Sequence, residues 1–225
     1  MIKAVLIDID NTVLDFNESA KQSVKQAFFY YDLEFNQKTF SVFKSVNDEL
    51  WKMIERGELD RQGLHKVRFK IILERLNLTA DPLTVEAKFR ECLSKVACPV
   101  TGAEEVLKYL KSKYLIYGAS NAIYNLQKER LKISGLDKYF NDLFVSEKIG
   151  FNKPSKQFFD ACFREMGGIK PCETVMVGDS LTADVEGAKN YGITTYWYNH
   201  DKIELNKKDV ADYVLNNLSD IKKFL

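Results

Sequence analysis

The chain has 225 residues, 45% of them apolar and 29% charged, with 11 glycines and 4 prolines. This is a globular composition, too poor in Gly and Pro for a disordered or collagen-like chain, and long enough for one large domain with a small partner. Lysine plus arginine at 33 against aspartate plus glutamate at 32 leaves a formal net charge of +1, and the charges interleave, so no basic face is laid out for a nucleic acid polymer. The opening run MIKAVLIDID is broken by Asp8 and Asp10, and no stretch approaches ~18 consecutive apolar residues. A soluble cytoplasmic protein without signal peptide or membrane span is expected. Cys92, Cys98, Cys162 and Cys172 form no CxxC pair and stand at zinc-finger spacing from no histidine, so reduced thiols are expected rather than disulfides or zinc.

In chain order, residues 3–9 read as a buried strand. A βαβ unit needs only ~30 residues to reach its next strand, but the interval from Asp8 to Ser120 is several times longer and carries amphipathic patterns. Ala20, Val24, Ala27, Phe28 and Tyr31 mark one apolar face; Phe40, Phe43, Leu50, Trp51 and Ile54 a second; Leu64, Val67, Ile71 and Leu76 a third; Val85, Phe89, Leu93 and Val96 a fourth. The spacing predicts a helical bundle whose fourth helix opens on Asp81 as N-cap and Pro82 at the first helical position. Thr101 to Glu104 reads as a capping box for the helix that returns to the sheet. Beyond it, residues 114–117, 142–145, 174–177 and 193–197 read as strands, separated by helices over 121–133, 155–166 and 182–191. This alternation predicts an α/β fold, a doubly wound parallel sheet with helices on both faces. Residues 1–15 and 100–225 are expected to form it, with 16–99 inserted after the first strand as a helical domain.

Four polar signals fall at or just after predicted strand ends, where such a sheet presents ligands. Asp8 and Asp10 lie two apart on an extended segment and project to one side. Two close carboxylates repel unless a cation offsets them, and without clustered His or Cys an all-oxygen environment argues for Mg²⁺. The plain alternative is that Asp10 and Asn11 cap a turn. Ser120 and Asn121, opening the next helix, offer a hydroxyl, an amide and helix N–H groups to a phosphate oxygen, although both are also ordinary N-caps. Lys153, ahead of Pro154, is either a counter-charge for phosphate or carboxylate or a solvated loop lysine. In the run from Gly178 to Asp184, Asp179 stands where a further metal ligand is wanted. Asp184 falls in the first turn of a helix, where it either orients the metal's ligands or simply accepts backbone N–H bonds.

The order and spacing of these signals resemble the haloacid dehalogenase superfamily of phosphohydrolases over essentially the whole chain: DxDxT from Asp8 to Thr12, the Ser/Thr motif at Ser120, the lysine at Lys153, and GDxxxxD ending on Asp184. The inserted helices match a C1-type cap. The run from Gly178 to Gly192, with Leu14-Asp-Phe16, looks most like the pyrimidine 5′-nucleotidase branch. The resemblance implies a Rossmann-like core in which Asp8 is the nucleophile that becomes an aspartyl-phosphate and Asp10 is the general acid and then base. It implies Mg²⁺ held by Asp8, the backbone carbonyl of Asp10, and Asp179, with Asp184 behind them, and Thr12, Ser120, Asn121 and Lys153 around the phosphate. Haloacid dehalogenases proper act without metal and lack the second aspartate, so Asp10 and Asp179 point away from carbon–halogen cleavage. The expected partner is a small phosphorylated metabolite, a nucleoside 5′-monophosphate ahead of a sugar phosphate. A phosphomutase and a non-catalytic, phosphate-binding regulatory protein are the alternatives. Phe16, at the hinge of the insertion, is expected to touch substrate, whereas the aromatics from Phe28 to Trp51 are expected to be mostly the cap's own core. His65 and His200 are expected to belong to no catalytic group.

Overall fold

The structure is a computed structural model that describes residues 1–204 and 210–225. The chain divides into two compact units, Met1–Asp15 with Cys98–Leu225, and Phe16–Ala97.

The first unit is built on β1 (Ala4–Ile7), β2 (Leu115–Ser120), β3 (Asp142–Val145), β4 (Thr174–Gly178), β5 (Thr194–Tyr198) and β6 (Tyr213–Leu215). All pair in parallel, in the order β3-β2-β1-β4-β5-β6. A parallel sheet is covered on both faces, which is why β1 and β4 are buried throughout rather than alternating. Ala4, Leu6 and Met176, at alternate positions, pack with Phe158, Phe159 and Cys162. The helices of this unit are α5 (Ala103–Lys111), α6 (Tyr124–Ile133), the single turn α7 (Ser146–Ile149), α8 (Lys156–Glu165) and α9 (Gly187–Tyr191).

Local structure departs from the sequence expectation at four places. α5 starts behind Gly102 in the left-handed region (φ 80°) with no side-chain cap, so the Thr101 capping box does not form. α6 starts at Tyr124, because the residues after β2 are used in the loop at the sheet's C-terminal edge. The helix expected over 182–191 is a π-helical turn, Leu181–Glu186, followed by the short α9. β6 has only three residues, too few to carry a readable period; Tyr213 stacks on Tyr196 of β5 with ring centroids 4.5 Å apart.

The second unit holds α1 (Phe16–Tyr30), α2 (Gln37–Glu55), α3 (Arg61–Leu76) and α4 (Pro82–Leu93). Asn36 caps α2 in a reciprocal box with Thr39, Asp60 caps α3, and Asp81 caps α4 with Pro82 behind it. Phe43, Phe69 and Phe89 form the aromatic centre of the unit. α3 buries Leu64, Arg68, Phe69, Ile72 and Leu73, not the face through Val67 and Ile71 that periodicity suggests. Arg68 can share the buried face because its charge is paired. Arg68 makes two bonds to Glu86, at 3.0 and 2.6 Å, and one to Asn47 at 2.9 Å, with its guanidinium 4.7 Å from the Phe89 ring centroid. Of the early aromatics, Phe28 and Phe43 are core, while Phe29 and Tyr30 are exposed. No helix among the described residues is long and apolar enough to cross a membrane.

Candidate active site

β1 and β4 are neighbours at the centre of the sheet, where successive strands turn from one side to the other, and loops leaving their C-terminal ends meet. Asp8 follows β1 directly, and its backbone N–H still donates to the Val177 carbonyl at 2.8 Å, so the strand ladder fixes it. Asp179 follows β4. After Asp8 the chain folds onto the Ile9 carbonyl, which accepts the N–H groups of Val13 (3.0 Å) and Leu14 (2.8 Å). The turn places Asn11 at φ 60°, a conformation asparagine tolerates better than most residues. It also brings the buried Thr12 hydroxyl to 3.5 Å from Asp179 Oδ1, as donor.

The π-helical turn returns Asp184 to the same place. The N–H groups of Asp184 and Val185 both reach the Ser180 carbonyl at 3.1 Å, and Asp184 Oδ2 accepts from the Ser180 N–H at 3.1 Å. A Cβ at Gly178 would lie 2.2 Å from Asp184 Oδ2, so only glycine leaves room for this carboxylate.

Lys153 reaches the group from the loop before α8. Its ammonium, on a residue 1% exposed, donates to Asp8 Oδ1 at 2.7 Å, Asp184 Oδ1 at 2.6 Å and the Ala119 carbonyl at 2.5 Å. Asn121, expected among the phosphate contacts, instead uses both ends of its amide on the Lys153 backbone: Nδ2 donates to the Lys153 carbonyl at 2.9 Å, and Oδ1 accepts its N–H at 2.8 Å. Asn121 therefore sets the lysine loop. Burial opposes the Lys153 charge, but Asp184 and Asp8 outweigh it and raise its pKa. One ammonium does not satisfy the carboxylates around it. Burial, with Asp184 nearby, lifts Asp8 to about 7; burial and Asp179 lift Asp184 to about 6; burial and Asp8 raise Asp179.

Carboxylate oxygens of Asp8, Asp179 and Asp184 lie within 4.8 Å of one another, the one such acidic, histidine or cysteine group among the described residues. An oxygen-only donor set with surplus negative charge fits a hard divalent cation. Asp184 has one oxygen on Lys153 and the other on the Ser180 N–H, whereas Asp8 has one on Lys153 and Asp179 only the long bond from Thr12, so Asp8 and Asp179 are less committed to protein donors and could hold the ion, with Asp184 beside them.

The Asp10 carboxylate is not in that group. It turns to α6, where Arg130 Nη1 donates to Oδ1 and Gln127 Nε2 to Oδ2, each at 2.6 Å. Ser120, the last residue of β2, is buried and its Oγ accepts from Gln127 Nε2 at 2.9 Å. Phe16 opens α1 in the helical unit. Sequence reading missed Gln127 and Arg130, whose signal is two polar residues three apart on a helix face beside Leu131. It also missed His200, which does stand at the site. His200 Nε2 lies 3.7 Å from Asp179 Oδ2 and Nδ1 3.2 Å from Asp201 Oδ1, and these acids raise its pKa. Trp197 Nε1 donates to the Asp179 carbonyl at 2.9 Å and pins that residue's backbone.

Residues 2–192 match the family of haloacid dehalogenase-like hydrolases. The chain belongs to this family. YfnB of Bacillus subtilis, in a crystal form bound to magnesium, superposes with a TM-score of 0.93 at 29% identity, covering 100% of this chain and 98% of that one. The pyrimidine 5′-nucleotidase PynA of Streptococcus pneumoniae is 30% identical over 97% of this chain and 93% of its own length. The glyceraldehyde 3-phosphate phosphatase of Pyrococcus furiosus is 28% identical over 100% and 93% respectively. With such relatives, this haloacid dehalogenase-like hydrolase is an enzyme of the phosphoric monoester hydrolase class.

Proposed function

We propose that the protein hydrolyses small phosphate monoesters through an aspartyl-phosphate on Asp8, with nucleoside 5′-monophosphates as its substrates. The observation that carries this reading is the meeting of Asp8, Lys153, Asp179 and Asp184 at the ends of adjacent central strands, with a second aspartate, Asp10, two residues from the nucleophile and facing another way. That division suits two tasks. Asp8 attacks phosphorus while Lys153 holds its other oxygen and steadies its charge. Asp10, held apart, transfers the proton to the leaving oxygen and later takes one from water. Ser120 and Lys153 flank the place where phosphoryl oxygens would lie. Asp8 and Asp179, with the Asp10 backbone carbonyl, would hold Mg²⁺, which supplies Lewis-acid stabilisation of phosphoryl charge. Residues 16–99 serve as the cap, with Phe16 as its first substrate contact, and the nucleotide preference rests on the likeness to PynA.

Phosphate release from nucleoside 5′-monophosphates, glyceraldehyde 3-phosphate and sugar phosphates, with Mg²⁺ and with chelator, tests the reading. Release from nucleotides that chelator abolishes supports it. Preference for the triose phosphate moves the substrate assignment to that class, a purified Asp8→Asn protein with full activity refutes the nucleophile, and silence across the panel refutes hydrolysis.

A further inference from the structure

α6 carries two buried polar side chains whose placement the roles above do not explain. Arg130, 1% exposed, donates from Nη1 to Asp10 Oδ1 at 2.6 Å and to Gln127 Oε1 at 2.9 Å. Gln127, also buried, donates from Nε2 to Asp10 Oδ2 at 2.6 Å and to Ser120 Oγ at 2.9 Å. Positions three apart share one helix face, so the two donors reach the carboxylate together. They form a closed triangle with Asp10 in which each carboxylate oxygen has its own donor and the carboxylate plane is fixed. The Asp10 side chain keeps 31% of its surface exposed, and a protonated carboxyl can accept one bond on each oxygen and still carry its proton on a remaining position. The triangle therefore orients Asp10 without blocking it. Burying a guanidinium costs more than pairing it with a half-exposed partner returns in stability, so fold stabilisation alone is a poor account of Arg130.

We propose that Arg130 and Gln127 are positioning residues that hold the Asp10 carboxylate in the orientation needed for proton delivery, with Gln127 coupling that orientation to Ser120. This rests on the phosphatase reading above. As an Asp8 oxygen bonds to phosphorus, the bond from phosphorus to the leaving oxygen breaks, and its electron pair stays on that oxygen. That oxygen takes the Asp10 proton and departs as an alcohol. Water then attacks the phosphorus of the aspartyl-phosphate, gives its proton to Asp10, and releases inorganic phosphate and free Asp8. An Asp10 that rotates freely fails at the first transfer in proportion to how badly the leaving group needs the proton.

Leaving-group dependence separates this role from a structural one. Uridine 5′-monophosphate, or glycerol 2-phosphate if the former is not turned over, must leave as a protonated alcohol, whereas p-nitrophenyl phosphate leaves as a stable phenolate. kcat/KM reports only the steps up to phosphorylation of Asp8. Arg130→Met and Gln127→Leu should each lower kcat/KM for the alkyl substrate by ~10²-fold, with KM little changed, and that for p-nitrophenyl phosphate by less than about 5-fold. Arg130→Lys should recover part of the loss. If Arg130→Met does not fold, Gln127→Leu and Arg130→Lys carry the test. Equal losses on both substrates, or unimpaired alkyl phosphate turnover, overturn the role while leaving the phosphatase reading intact. An unaltered protein that hydrolyses none of these substrates refutes that reading and this role with it.

Discussion

Replacing Lys153 by methionine keeps the stem and removes the buried ammonium between Asp8 and Asp184. Three acceptors lose their donor at once: Asp8 Oδ1, Asp184 Oδ1 and the Ala119 carbonyl. Breaking a buried ion pair by removing one partner costs ~3–5 kcal/mol. At ~2–4 °C per kcal/mol for a chain of this size, that is a fall of about 6–20 °C in Tm. The pH dependence follows from Asp8 and Asp184, lifted to about 7 and about 6 even with the lysine present. Without the ammonium both rise further. A carboxyl with a folded-state pKa above its unfolded one binds more protons when folded, so stability falls as pH rises through that window. The penalty of Lys153→Met is therefore largest at pH 8 and less than about half as large at pH 5, where protonation removes the unpaired charges. The assay is urea denaturation in chelator at both pH values, followed by Trp197 fluorescence in a Trp51→Phe background, since the two tryptophans sit in different units. Adding Asp184→Asn should recover a large part of the loss. A penalty below ~1 kcal/mol at pH 8, or one equal at both pH values, refutes the electrostatic account of Lys153.

Further outcomes follow from neighbouring features. Mg²⁺ should raise Tm more at pH 8 than at pH 5.5, because protonated Asp8 is a poor ligand; an equal rise at both would separate metal binding from Asp8. Gly178→Ala pushes a methyl to 2.2 Å from Asp184 Oδ2, and should lower activity by ~10-fold or more and Tm by several degrees, read in parallel kinetic and thermal assays. In the helical unit, Glu86→Gln leaves Arg68 buried without its counter-charge and should cost ~3–5 kcal/mol by denaturation. The pair Arg68→Met with Glu86→Leu should cost much less, since apolar replacement of both partners removes the desolvation penalty too.

The parallel sheet was legible because β1, β2 and β4 are short apolar runs ending on polar motifs, and adjacent central strands then had to bring Asp8 and Asp179 together. Lys153 was legible only through its place in the order of motifs, since nothing local to a loop lysine says it will be buried. The partner of the Asn121 amide was not legible, because an amide beside a serine looks the same whether it faces a ligand or a backbone 32 residues on. Gln127 and Arg130 were hidden by their type: charged and amide side chains on a helix ordinarily mark its solvent face, and only the tertiary position of Asp10 reverses that. On α3 the apolar residues Val67, Phe69, Ile71, Ile72 and Leu73 allow more than one face, and Arg68, which enters the core as half of an ion pair, gives no apolar signal to choose between them. His200 lies beyond β5, far in sequence from Asp179, with no motif to join them.

The central strand of the sheet is also the first to be synthesised. β1 emerges at residue 4, but its neighbours begin at Leu115 and Thr174, so most of the chain must be made before both edges are paired. At ~5–20 residues per second, β1 waits on the order of 10 s or longer as an unpaired apolar segment. Phe16–Ala97 is contiguous, so the contacts within it are all available in that interval. The whole helical insertion thus leaves the ribosome between β1 and its first partner, and the strand that carries Asp8 is not paired on both edges until β4 is made.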